Sequence, residues 1–257
     1  MNLNKFNNQI LSTDFLLGTG INMMYKKENF AVDNNIIALL DISSKQRIIT
    51  GNSIVIHDEF GVFFVDKTTK QLMNEFHKVN YAGFMLTKFM AEAYHMKRNI
   101  PMVFGSVSYM PMSGGSRNCT DWIGIHRILD CQQVGMRARF KLEYNSVVEM
   151  DFPRGNLNDR VHDVCVISEA QVKAIRVWML RANLEVRVCS NVTQFLNDRK
   201  VCGCMFHDAP PKEWSEIHIR LDQLRNFLLE VMTRNEIESK QTRIVYVQKT
   251  MRLKLLC

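Results

Sequence analysis

Apolar and polar residues change rhythm along this chain. Between residues 30 and 65 the apolar positions come in short β-branched and aromatic runs: FAVDNNIIALL at 30–40, RIITGNSIVI at 47–56 and VFFV at 62–65. The first reads as a hairpin-like pair of short strands about an Asp33-Asn34-Asn35 turn, and the others as further strands. The period then lengthens. Leu72, Phe76 and Val79 recur at helical spacing behind Thr68 and Thr69, either of which can cap a helix. A second helical stretch covers 82–96, Gly83 permits a break between the two, and Pro101 drives Ile100 into extended backbone.

Strand-like patterning returns at 102–110, 122–129, 136–144 and 147–152. In 136–144, MRARFKLEY, side chains alternate with period two, which sets Arg137, Arg139 and Lys141 on one face as a basic stripe. From Ser168 the pattern is helical again, with a weak Ser168–Gln171 capping box followed by Val172, Ile175 and Met179. Beyond Pro210 and Pro211, the residues Trp214, Ile217, Leu221, Leu224, Leu228 and Val231 alternate steps of three and four, the strongest helical signal in the chain. The stretch 242–256 reads as strand-like and basic. Residues 1–29 are Asn-rich and weakly patterned, and read as a weakly ordered arm. The expected class is α+β: a strand-rich body over 30–167 with a helical C-terminal region over 168–257, the latter a candidate for oligomerisation.

Composition narrows the class. With 257 residues and 46% hydrophobic content the chain can bury a sizeable core, which excludes wholesale disorder. Lys and Arg total 33 against 26 Asp and Glu, for a net charge of +7, which favours an acidic partner such as nucleic acid. Seven irregularly spaced cysteines without a secretory signal point to reduced thiols and a cytoplasmic location. No apolar run approaches the length of a membrane span, so no membrane partner is expected.

The candidate chemistry centres on 100–128, IPMVFGSVSYMPMSGGSRNCTDWIGIHRI. Ser113, Gly114, Gly115 and Asn118 form a loop of small residues around Arg117, held between strand-like arms, and such a loop can approach a polyanion closely. With Arg127, Arg137, Arg139 and Lys141, five cations stand against Asp121 and Asp130. Cations on strands and loops can neutralise phosphates, and an Arg can enter a narrow A/T-rich minor groove. The competing reading is an ordinary solvated face. Cys119, Asp121 and His126 have the residue types of a nucleophilic triad, but adjacency in sequence is poor evidence for one, and Cys119 reads as a core or turn residue. Cys202, Cys204 and His207 lack the paired knuckles of a zinc site. No phosphate-cradling glycine motif is present, and no cofactor is expected.

Five segments occur in a telling order: FAVDNNIIALL at 30–40, GVFFV at 61–65, Tyr81-Ala82-Gly83, Ile100-Pro101-Met102-Val103, and Cys119-x-x-Trp122-Ile123-x-x-His126. In order and spacing, over residues 30–167, they resemble the competence transcription factor ComK family. The resemblance implies a non-enzymatic, cytoplasmic bacterial activator of DNA-uptake genes. It also implies binding to A/T-rich double-stranded DNA boxes, largely through the minor groove, as a homodimer or higher oligomer, with RNA polymerase a possible partner. Where the family carries an Arg-Lys pair after Tyr-Ala-Gly, this chain has Phe84-Met85 and reaches a cation at Lys88. The alternative from another class is a protein-interaction or adaptor module that docks a partner on the 214–231 helix face.

Overall fold

The structure is a computed structural model, and it describes residues 3–44, 50–96, 99–114, 119–181, 183–185 and Phe195. The helix expected over 214–231, the Cys202–His207 cluster and the basic stretch 242–256 lie outside the described residues.

The fold is α+β, built on two sheets. After a 3₁₀ turn at Leu3–Phe6, the chain forms β1 (Ile10–Leu11), a short helix α1 (Thr13–Leu17) capped by the Ser12 hydroxyl, and β2 (Tyr25–Lys26). β3 (Ile36–Asp41), β4 (Ser53–His57) and β5 (Gly61–Val65) follow, then α2 (Thr69–Val79) and α3 (Tyr81–Ala93). Next come β6 (Met102–Phe104), β7 (Val107–Pro111), β8 (Trp122–Gly124), β9 (Asp130–Val134), β10 (Arg137–Lys141) and β11 (Val147–Asp151). The 25-residue helix α4 (Leu157–Arg181) closes the described body. The larger sheet runs β2-β5-β4-β3-β8-β7-β6 and the smaller β1-β11-β10-β9. No described helix is long and apolar enough to cross a membrane.

The continuous apolar run of β3, IIALL, is buried throughout because the large sheet is covered on both faces. On one face Leu39, Val55, Phe63, Tyr109 and Trp122 meet Leu72, Met73 and Phe76 of α2. On the other, Leu40, Ile54, Ile56, Val103 and Ile123 share a core with the small sheet and with α3 and α4. Thr68 caps α2 in a capping box, its Oγ1 accepting from the Gln71 amide at 3.2 Å while the Gln71 side chain accepts from the Thr68 amide at 2.9 Å. Val79, expected on the buried face, is 85% exposed, and Met73 takes that role.

Several sequence-based boundaries move. Residues 3–29 are not a weakly ordered arm: Phe6, Leu11 and Leu16 are buried in the core, and β1 pairs with β11 in parallel. The first arm of the expected hairpin at 30–40 is not a strand; Phe30 instead packs edge-on against Phe63 at 5.0 Å. The strand expected over 102–110 is the hairpin β6–β7, folded at Gly105, whose φ of +61° suits glycine. The last described helix starts at Leu157, not near Ser168, because the Asn156 carboxamide oxygen accepts from the Asn158 amide and the Gln133 side chain accepts from Leu157. The division at 167/168 therefore falls inside one continuous helix. Ser168 donates to the Gly105 carbonyl at 2.7 Å. Gln171 accepts from the Gly105 amide and donates to Thr87 Oγ1, tying α3, α4 and the β6–β7 hairpin together.

Gly83 does not break the helices, which separate at Asn80. It lies inside α3, where a Cβ would sit 2.7 Å from the Cβ of Phe104. An approach this close to a main-chain-anchored atom cannot be relieved by rotating the ring alone. Gly83→Ala is expected to cost about 1–3 kcal/mol in urea unfolding, with part recovered in a Gly83→Ala, Phe104→Ala double variant.

Candidate nucleic-acid interface

The residues read from sequence as one basic surface separate in space. Gly115, Arg117 and Asn118 lie outside the described residues. Ser113 and Gly114 stand at the end of β7, where Thr120 Oγ1 accepts from the Ser113 amide at 3.0 Å and bonds its hydroxyl at 2.9 Å. This closes the neck of the loop.

Arg127 is not available to DNA. It sits in a 3₁₀ turn after β8, and its side chain is 8% exposed. Nε donates to the Asn34 carbonyl at 3.1 Å, one terminal nitrogen to Asp58 at 3.3 Å and the other to the Asn35 carboxamide oxygen. His126, beside it, is buried between the Asn34 carbonyl, 3.0 Å from Nε2, and Ser108, whose amide is 3.2 Å from Nδ1. The neutral ring that donates from Nε2 and accepts at Nδ1 fits these partners. Burial pushes its pKa down to about 4. Tyr109 donates to the Asp33 carbonyl, and His57 lies 3.1 Å from the Asp33 carboxylate. Asp33, Asn34 and Asn35 are thus a turn clamped from four sides. The family-like segments at 30–40 and 119–126 meet here, and the residues they contribute hold the fold together.

Arg137, Arg139 and Lys141 do share the outer face of β10, as the alternation requires, but they are not a bare basic stripe. Register sets Arg137 beside Asp151, Arg139 beside Glu149 and Lys141 beside Asp130. Glu149 receives Arg137 at 2.5 Å and Arg139 at 2.7 Å. Burial alone would raise the Glu149 carboxyl, but the hydrogen bonds from Arg139 and Arg137 outweigh it and hold the group below its ordinary range. Each cation on this face therefore has an acid as cross-strand neighbour, which removes most of the field a polyanion would feel.

A cleft of about 270 Å³ brings Ser113 and Arg137 together, with Asp14, Asp41, Asp121 and Glu149 in its wall. These carboxylates repel phosphate. Asp121 is a brace: its carboxylate accepts from the Asp41 amide at 2.7 Å and joins the ends of β3 and β8. With His126 locked against Asn34 and Asp121 engaged by Asp41, neither is poised to serve Cys119 as a base or orienter. No group of three or more His, Cys, Asp or Glu suited to a metal ion occurs among the described residues.

One end of the strands of the large sheet carries a feature the linear sequence hides. Met112 donates to the Asp121 carbonyl at 2.9 Å, Ile42 to the Asn52 carbonyl at 3.0 Å, and Asn99 lies next to Gly114. The residues flanking 45–49, 97–98 and 115–118 thus stand side by side at this end. In sequence those three stretches contain Lys45, Arg47, Lys97, Arg98 and Arg117 and no acid. Sheet order alone relates them, so of the five only Arg117 stood out in the sequence. Comparison of the chain with protein-family models, with curated proteins and with solved structures found no match.

Proposed function

We propose that this chain is a non-enzymatic, DNA-binding transcriptional activator of the ComK type, acting in the bacterial cytoplasm on A/T-rich boxes of DNA-uptake genes, largely through the minor groove. The observation that carries the reading lies at one end of the strands of the large sheet, where the residues flanking three stretches with five cations and no acid stand side by side, next to the Asp41 and Asp121 carboxylates of the adjoining cleft. Further support comes from the family-like segments: those at 30–40, 61–65, 81–83, 100–103 and 119–126 all belong to the large sheet and the elements packed on it. A net charge of +7 adds long-range attraction for a polyanion. The β10 cations, balanced by Glu149, Asp130 and Asp151, are secondary in this reading.

Gel-shift titrations on A/T-rich and G/C-rich duplexes over a range of salt test it. Affinity for the A/T-rich duplex is expected to fall steeply with salt. Replacing Arg47, Arg98 or Arg117 by Gln should make the log–log slope shallower by about 0.9 for each phosphate that is no longer neutralised. Arg137→Gln with Arg139→Gln should change the slope much less. Equal affinity for G/C-rich DNA, or binding indifferent to salt, would refute the proposal.

A further inference from the structure

One residue is bonded to both of the chain segments that part at the ends of β3 and β7. The antiparallel pairing of β3 with β8 ends at Leu39 and Trp122. Beyond it, the Asp41 amide is taken by the Asp121 carboxylate at 2.7 Å, a side chain continuing what the main-chain ladder began. On its other side, the Asp121 carbonyl accepts from the Met112 amide at 2.9 Å, one residue past the last β7–β8 pair of Pro111 and Trp122. Asp121 thus holds the segment that runs into 45–49 with its side chain and the segment that runs into 115–118 with its backbone. Its neighbours extend the tie each way. The Asp41 carboxylate accepts from the Ser43 amide at 3.3 Å and from its hydroxyl at 2.8 Å, while Thr120 Oγ1 bonds Ser113.

We infer that Asp121 is a positioning residue for the proposed DNA surface: it touches no phosphate, but by bonding both segments it sets how the stretch with Lys45 and Arg47 stands relative to the stretch with Arg117. The inference rests on the DNA-binding reading. A cation adds to affinity only where its backbone lets it reach a phosphate, and fixing two segments beforehand lowers the ordering cost of binding. The charge on the same carboxylate acts the other way, since it repels a polyanion. Geometry and charge are therefore opposed in one side chain, and substitution can separate them. Asparagine keeps an acceptor oxygen for the Asp41 amide and loses the charge. Alanine loses both.

The test is a salt-dependent gel-shift titration of the full chain on the A/T-rich duplex, with circular dichroism to establish that each variant is folded. Asp121→Asn is expected to bind about twofold tighter than wild type, with a log–log salt slope no shallower. Asp121→Ala removes the same charge, yet it should bind at least about threefold more weakly, with a slope shallower by about 0.9 or more as a phosphate contact is lost. Asp121→Ser, whose hydroxyl stops one bond short of the Asp41 amide, should follow Asp121→Ala and repeats the comparison with a polar side chain. If the Ala and Ser variants match Asp121→Asn in affinity and slope, only the charge matters and the inference is wrong, while DNA binding by the wild type stands. Unfolding of both variants would assign Asp121 to stability of the fold and overturn it as well. A wild type that binds G/C-rich DNA equally, or binds regardless of salt, instead refutes the DNA-binding reading, and the inference falls with it.

Discussion

Arg127→Met is expected to lower the free energy of unfolding by about 3 kcal/mol, the low end of what removing one partner from a buried charged network costs. Methionine keeps most of the aliphatic packing, so the loss reports the guanidinium. Removing it takes the guanidinium from the Asn35 carboxamide oxygen and leaves the Asn34 carbonyl with His126 as its donor, in a turn that is also braced by Tyr109 and His57. Asp58 suffers less, because its side chain is 41% exposed and water can replace the cation. Asp58→Asn alone should therefore cost less than about 1 kcal/mol. Urea unfolding of the two single variants and the double variant separates these shares. If Arg127→Met were as stable as wild type, the clamp would not hold the turn.

The second large effect is a loss of stability in acid. His126 is neutral in the folded protein, with its pKa pushed down to about 4 by burial, whereas an unfolded histidine titrates near 6.5. Below pH 6.5 the unfolded chain takes up a proton that the native ring refuses. The stabilisation is complete above that pH and declines as pH falls toward 4, by about 3 kcal/mol in all. His126→Gln keeps a donor and an acceptor but removes the titration. Measured by urea midpoint between pH 7 and 4.5, wild type should lose stability faster than the variant, and parallel curves would contradict the assignment. Protonation changes Nδ1 from acceptor of the Ser108 amide to donor to the Ser108 carbonyl, 3.1 Å away, so it is burial of the charged ring that opposes it.

Elements stabilised by their own residues were legible in the sequence. The Thr68–Gln71 capping box is local, and it starts α2 where its spacing predicts. The alternation in β10 likewise presents Arg137, Arg139 and Lys141 on one face. Elements that depend on distant partners were not. β9 is mostly polar and is a strand because β10 pairs with it through a two-residue turn. The start of α4 is set partly by Gln133, which lies on another strand. Ser168 resembles a helix cap, but its hydroxyl is turned to Gly105 across the core.

The candidate site divides the same way. A glycine- and serine-containing loop with Arg117 between two strands can be read directly, since loop chemistry is local. Whether a cation is free or spent cannot be, because its partner is chosen by register and packing. Glu149 lies ten residues or more from the two arginines it binds, and Asn34 lies over ninety from Arg127.

By itself the sequence determined the α+β class, the capped helix α2, the alternation of β10 and an excess of positive charge, all of which follow from short-range geometry and composition. Only the tertiary structure decided, among the described residues, where that charge is neutralised, which arginine is a buried clamp, and which strand ends stand together. Strand order and side-chain pairing join residues far apart along the chain, and no local pattern records them.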